Sequence, residues 1–220
     1  MTQDGPTMSE GAVHRGRAAS SGQPKSDTRA AGSGEASVVE RRDEILEIAA
    51  TLFAERGYRA TSIRDIAERA GMKAGSLYYH ITSKEALFVE IHDKALDAAA
   101  ARVRAVIAGC RSPWERLEAA CVEMLEIQLN PESLTLPIMN NFRSVPDEVK
   151  DALIRKRDEF ERIFRDIIAA LPLPSAIDRT IYRILLLRLL NTADEWYREG
   201  RLTRPEIAAQ IVGIFRHEAG

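Results

Sequence analysis

From Val38 onward the apolar residues recur at helical spacing almost without a break. Ile45, Ile48, Ala49, Leu52 and Phe53 fall at i, i+3, i+4, i+7 and i+8, one stripe on a helix expected to stop at Gly57. Thr61 and Ser62 then read as capping hydroxyls and Asp65 as a capping-box carboxylate. They open a short helix that turns Ile63, Ile66, Ala67 and Ala70 inward and ends at Gly71. A second short helix is expected over roughly 74–81. Ser83 caps a long one reaching about Ala108.

Prolines punctuate the remainder. Pro113 opens a helix to Asn130 with Leu117, Cys121, Met124, Leu125 and Ile127 apolar, and Pro131 and Pro137 bracket an irregular one ending near Phe142. Pro146 starts an amphipathic helix whose inward face is Val149, Leu153, Phe160, Ile163, Phe164, Ile167 and Ile168. Ala176 to Arg198 is apolar nearly all round, through Ile181, Ile184, Leu185, Leu186, Leu187, Leu189 and Leu190, so a helix there needs two partners. A last helix follows Arg204-Pro205, with Ile207, Ile211, Ile214 and Phe215 in register. No segment alternates with the period of a strand, and the fold class is all-α.

Two short helices joined by a tight glycine turn and braced by an amphipathic helix form the helix-turn-helix arrangement, in which the second short helix lies in the DNA major groove. Charge agrees with that reading. The whole chain carries a formal −2, but Arg56 to Lys84 holds six basic residues against two acidic ones, or +4. From Glu85 to the end there are 19 basic and 22 acidic residues, or −3. The positive charge is concentrated where a polyanion would sit. Residues 1–37 are rich in Gly, Ser and Ala, and are expected to form a disordered tail. Residues 38–84 form the DNA-binding domain and 85–220 a second helical domain.

Composition limits the other possibilities. The two cysteines, Cys110 and Cys121, lie eleven apart without a partner histidine at metal-site spacing, which implies reduced thiols and no metal. The greasiest run, Ile184 to Leu190, is broken by Arg188 and is too short to cross a bilayer, and no secretory h-region opens the chain. A cytoplasmic, nucleoid-associated protein without membrane contact is expected. A Gly-rich phosphate loop, a Gly-x-Ser-x-Gly elbow and a metal signature are all missing, so neither an enzyme nor a cofactor is expected. His92 with Asp93 and Asp97 reads as an exposed, solvated face.

Within Gly75-Ser-Leu-Tyr-Tyr-His80, successive side chains on a helix point about 100° apart, so one core cannot bury all of them. Leu77 and Ile81 supply the inward stripe, leaving Tyr79 and His80 to face phosphate or base edges, with Tyr78 beside them. Lys73 and Lys84 flank the segment and suit phosphates. Ala74, Gly75 and Ser76 allow close approach and small contacts to bases. Thr61 and Ser62 combine capping with phosphate contact at a helix start.

Arg42-Asp-Glu-Ile-Leu-Glu-Ile-Ala-Ala-Thr-Leu-Phe-Ala-Glu-Arg-Gly57, Thr61-Ser-Ile-Arg-Asp-Ile-Ala67, Ala70-Gly71, Gly75-Ser-Leu-Tyr-Tyr-His80 and Ser83-Lys84-Glu85-Ala-Leu87 closely resemble the DNA-binding domain of TetR-family transcriptional regulators. Two positions depart from the family pattern: Lys73 stands where Ser or Thr usually caps the recognition helix, and Ile81 replaces Phe. The resemblance implies an N-terminal three-helix helix-turn-helix domain followed by a helical ligand-binding and dimerisation domain. It implies a homodimer on an inverted-repeat operator in double-stranded DNA, acting as a repressor released by a small molecule. The implied DNA-contact set is Arg42, Thr61, Ser62, Arg64, Lys73, Ala74, Gly75, Ser76, Tyr78, Tyr79, His80 and Lys84.

The closing segment, Asn191, Trp196-Tyr197 and Gly200-Arg-Leu-Thr203, resembles a subgroup in which some members sense acyl-CoA thioesters. An amphipathic acid or acyl-CoA thioester is the implied effector, with Met124, Met139, Phe142, Arg188, Asn191 and Asp194 as candidate contacts. The alternative is a TetR-like architectural or nucleoid-associated protein without an effector.

Overall fold

The computed structural model describes residues 30–130 and 145–216, with side chains from Val39. The chain divides at Val38. Before that point only a helical backbone from Ala30 is described, and everything below concerns Val39 onward. The described residues form α1 (Ala30–Ala60), α2 (Ile63–Arg69), α3 (Ala74–Leu77), α4 (Lys84–Ala108), α5 (Pro113–Gln128), α6 (Asp147–Ala169), α7 (Arg179–Asn191), α8 (Ala193–Trp196) and α9 (Arg204–Phe215), with no strand among them. The backbone is already helical at Ala30, inside the stretch expected to lack structure. Apolar periodicity marks where a helix can bury a face, not where helical backbone begins. The expected irregular helix between Pro131 and Phe142 lies outside the described residues, as does the rest of the tail.

Local chemistry sets the breaks. Gly57 interrupts α1 with φ 80° and ψ 163°, a conformation side-chain-bearing residues avoid. Gly71 (φ 67°) closes α2 in a Schellman turn, its N–H donating to Glu68 O at 3.0 Å while Met72 N–H donates to Ala67 O at 2.9 Å. Capping boxes Ser62/Asp65, Ser112/Glu115 and Thr203/Glu206 open α2, α5 and α9.

The helix expected over 176–198 is shorter than that range, though it holds the whole apolar run from Ile181 to Leu190. Asp178 caps it by accepting from Thr180 and Ile181 N–H at 2.8 Å, and it ends at Asn191. Thr192 there leaves helical geometry (φ −111°, ψ 25°), and its hydroxyl donates to Arg188 O at 3.0 Å. Helix α3 also ends early, at Leu77, with Tyr78 to His80 in a turn.

Two apolar cores result. The head core joins Ile45, Leu52 and Phe53 of α1, Ile66 of α2, Leu77 of α3 and Leu87, Phe88 and Ile91 of α4. Phe53, Tyr58 and Phe88 interlock in it, their ring centroids 5.0–5.9 Å apart. Val145, Val149 and Leu153 complete the same core. The body core takes Leu96 and Val103 of α4, Leu117 and Met124 of α5, Phe160 and Phe164 of α6, Leu186, Leu187 and Leu190 of α7, and Ala208 and Ile211 of α9. Helices α4 and α6 therefore each contribute to both cores, with roughly 1.5–3 kcal/mol from every such fully buried side chain.

The all-round apolarity of the α7 sequence has a simple spatial form. Tyr182, Leu186, Leu187 and Leu190 are buried in the chain's own core, while Ile181, Ile184 and Leu185 are exposed. Ile214 of α9 is 74% exposed.

Candidate functional site

The second short helix and its turn expose the expected surface. Leu77 and Ile81 are buried, whereas Tyr78 is 57% and Tyr79 91% exposed. Turn hydrogen bonds fix the aromatic pair: Tyr79 N–H donates to Ser76 O at 3.2 Å, His80 N–H to Leu77 O at 2.9 Å and Ile81 N–H to Leu77 O at 3.1 Å. His80 is half-buried, Lys73 and Gly75 are exposed, and Ala74 and Ser76 are half-buried. The Lys73 side chain caps nothing, so its ammonium is left for the surface. A Cβ on Gly75 would meet nothing within 4 Å, so internal packing does not require a glycine there. What a glycine adds at that point is room for something outside the fold.

Lys84 is positioned more firmly than a surface lysine usually is. Its Nζ lies 4.1 Å from the Tyr58 ring centroid, and burial draws its pKa below the ordinary amine value. The Tyr58 hydroxyl donates to Glu85 Oε1 at 2.7 Å, which holds the Glu85 carboxyl below its usual range and, with burial the larger cause, raises the phenol. Arg64 is exposed on the outer face of α2.

Three members of the expected DNA-contact set have internal work. Thr61 is 1% exposed and its hydroxyl lies 2.9 Å from Gly57 O and 3.1 Å from Leu52 O, so its side chain reaches no phosphate. Those two carbonyls satisfy the hydroxyl, which is what lets a polar residue be buried there. Ser62 is exposed, but its hydroxyl is 2.5 Å from Asp65 Oδ2 and also accepts from Asp65 N–H. That pairing holds the Asp65 carboxyl below its ordinary range. Arg42 donates to the His80 carbonyl and pairs with Glu90 at 2.5 Å. It thus ties α1 and α4 to the turn that carries Tyr79, and Lys94 adds a second tie to Asp43 at 2.7 Å.

Among the described residues the candidate effector contacts are spread over different surroundings. Met124 is packed in the body core. Met139 and Phe142 lie outside the described residues. Arg188, Asn191 and Asp194 do not share one helical face: α7 ends between them, Arg188 and Asp194 are exposed, and only Asn191 turns inward. Asn191 Oδ1 is 3.3 Å from Gln128 Nε2, at the edge of a cavity of about 30 Å³ that His92, Arg157 and Glu161 also line. That volume suits one water-sized group. Gln128 is 3% exposed.

His92 is fully buried, contrary to its reading as part of a solvated face. It belongs to the inward stripe with Phe88, Ala95, Leu96 and Ala99. Desolvation pulls its pKa down, opposed by Asp93, whose Oδ1 is 3.5 Å from Nδ1, and reinforced by Arg157 and Lys156. The spacing 88, 92, 95, 99 was available in the sequence; the neighbouring Asp93 and Asp97 obscured it.

The fold and its outward-facing turn are those of a helix-turn-helix regulator, and comparison with known proteins agrees. Residues 45–91 match the model for bacterial regulatory proteins of the tetR family, and 110–218 the tetracyclin repressor-like C-terminal domain. The chain belongs to the TetR family and is a DNA-binding transcriptional regulator, not an enzyme. The HTH-type transcriptional repressor KstR2 of Rhodococcus jostii (strain RHA1) is 34% identical over 188 residues, covering 79% of this chain and 88% of that one. KstR2 of Mycobacterium tuberculosis (strain H37Rv) is 31% identical over 185 residues, covering 79% and 90%. Among solved structures, AibR in complex with isovaleryl coenzyme A and operator DNA aligns with a TM-score of 0.68 at 26% identity, over 79% of this chain and 97% of that one.

Proposed function

We propose that the protein is a homodimeric repressor that occupies an inverted-repeat operator on the cytoplasmic chromosome and leaves it when an amphipathic acid or acyl-CoA thioester enters the body. The observation that carries this reading is that α4 and α6 supply both cores, so a ligand that spreads the body helices must also move the head. The buried His92 and Gln128 and the half-buried Asn191 give the effector's polar group its partners. Their cavity of about 30 Å³ has to widen to admit more than that group. This requirement couples occupancy to helix displacement. The repressor names of the KstR2 relatives and the thioester bound to AibR support the same reading.

The exposed Ile181, Ile184, Leu185 and Ile214 provide the dimer face. Two heads related by a two-fold axis read half-sites about 10 base pairs apart, or a multiple of that. Tyr78, Tyr79, His80, Lys73, Arg64 and Lys84 contact DNA, with Gly75 allowing close approach. The test is footprinting of bound chromosomal DNA, followed by a gel shift on the recovered site with a panel of acyl-CoA thioesters. An inverted repeat released by one of them is expected. Uniform coverage without a repeat, insensitive to every thioester, would instead indicate an architectural protein.

A further inference from the structure

The outer face of the body carries a groove of about 630 Å³ where the ends of α4, α5 and α6 meet, well away from the recognition turn in the chain. Arg104, Arg116 and Arg162, one from each helix, stand around it over a floor that includes Ile107, Ile163 and Ile167. Several other body arginines sit against carboxylates, as in the pairs Arg102–Glu123, Arg183–Glu161 and Arg204–Glu126. Among the described residues none of the three groove arginines makes a side-chain ion pair or hydrogen bond, although acids outnumber bases by three from Glu85 onward. The two acids on the rim lie near other cations: Glu159 is 3.7 Å from Lys156 and Asp166 is 3.4 Å from Arg165. Three guanidinium groups from separate helices are thus gathered around one groove with isoleucine in its lining, none of them in an ion pair with the two acids there.

From this arrangement we propose that the groove is a second ligand site, for an organic phosphate with an apolar body, distinct from the buried polar cavity. Guanidinium groups bind phosphate oxygens in pairs and stack on flat rings, while the isoleucines take hydrocarbon or a ring face. A nucleotide and an alkyl phosphate share this chemistry. Duplex DNA fits it poorly, because its base faces are stacked on one another and only their polar edges are open in the grooves. The site also has a route to the head. Ile163 of the groove lies one turn beyond Phe160, which lines the inner cavity, and the same helix reaches the head core through Leu153.

Calorimetry on the full chain tests this with ADP, dodecyl phosphate, dodecanoate, inorganic phosphate and a 12-base-pair duplex of random sequence. Either ADP or dodecyl phosphate is expected to bind, and which of them does so identifies the source. That binding should weaken about tenfold for each of Arg104→Ala, Arg116→Ala and Arg162→Ala, the loss of one charged hydrogen-bonding group. Melting should be unchanged, since all three side chains are exposed, and duplex binding should be the same in the triple variant. Failure of both organic phosphates to bind, or unaltered binding in the triple variant, would overturn the proposal. Inorganic phosphate or dodecanoate binding as tightly as the organic phosphates would do so too, by showing that the floor or the phosphate is dispensable.

Discussion

Two of the surfaces on which the described residues leave large apolar side chains in water differ in kind. On the head the exposed pair is aromatic and hydroxylated, Tyr78 and Tyr79, set among Arg64, Lys73 and Lys84. On the body the most exposed apolar side chains are aliphatic, Ile181, Ile184 and Leu185 on α7 with Ile214 on α9. A phenol gives an apolar face and a donor together, which suits a phosphate backbone beside flat bases. Isoleucine and leucine have nothing to offer a polyanion, and their exposure is relieved only by another apolar surface. One surface has the chemistry for a polyanion, the other only for a second apolar surface.

The largest test separates the two surfaces. Ile184→Glu is expected to turn a dimer into a monomer in sedimentation and to weaken operator binding more than about a hundredfold. The side chain's roughly 1.5–3 kcal/mol is lost twice across a two-fold interface, and a charge is added. Leu187→Glu would not make this test, because Leu187 is buried in the chain's own core and its replacement would unfold the monomer. A dimer persisting in Ile184→Glu would remove α7 from the interface.

The same comparison shows how much could be read from sequence. The head was legible because its determinants are local: Ser62 and Asp65 cap each other, Gly71 closes the turn, and Leu77 and Ile81 leave Tyr79 outside whatever packs beneath. The seven inward residues of α6 were legible for a similar reason, since one strongly amphipathic helix has one solution. The body's chemistry was not, because it depends on which helices meet. His92 joins Gln128 and Asn191 from 36 and 99 positions away in sequence, and no spacing rule connects them. Thr61 differs again: its residue type fits both a cap and a phosphate contact, and only the folded chain shows its hydroxyl turned to the Leu52 and Gly57 carbonyls.

On the head, Tyr79→Ala should weaken operator and random DNA alike by about tenfold, the worth of a stacking or hydrogen-bonding contact to the backbone. Tyr79→Phe should lose only part of that. Lys84→Ala should also reduce the salt slope of binding by about one phosphate. Binding by Tyr79→Ala indistinguishable from the parent in a salt-titrated gel shift would take the aromatic pair out of the interface.

Arg42 distinguishes contact from support. If its work is to hold the His80 carbonyl and Glu90, Arg42→Ala should cost a few-fold to about tenfold in operator affinity through a looser turn. The salt slope should stay unchanged, because no counterion is released at that side chain. Glu90→Gln should reproduce part of the loss although it removes a negative charge. A slope reduced by one in Arg42→Ala, with Glu90→Gln binding more tightly, would make Arg42 a phosphate contact after all.

The smallest effect at neutral pH belongs to His92, and it becomes visible only on acidification. Burial keeps the folded imidazole's pKa below its ordinary 6.5, outweighing the pull of Asp93, with Arg157 and Lys156 acting in the same direction as burial. The unfolded chain therefore binds a proton that the folded chain refuses once the pH falls below about 6.5. Stability that is fully present above that value is lost as the pH drops towards the folded state's own pKa, at up to ~1.4 kcal/mol per pH unit. Near pH 7.5 neither the parent nor His92→Leu carries this dependence. Between pH 6.5 and pH 5 the parent's melting temperature should fall more steeply than that of His92→Leu, which has no imidazole to protonate. Parallel curves for the two proteins across that window would mean that the buried imidazole accepts its proton without cost, and that the cavity beside Gln128 is already prepared for a charge.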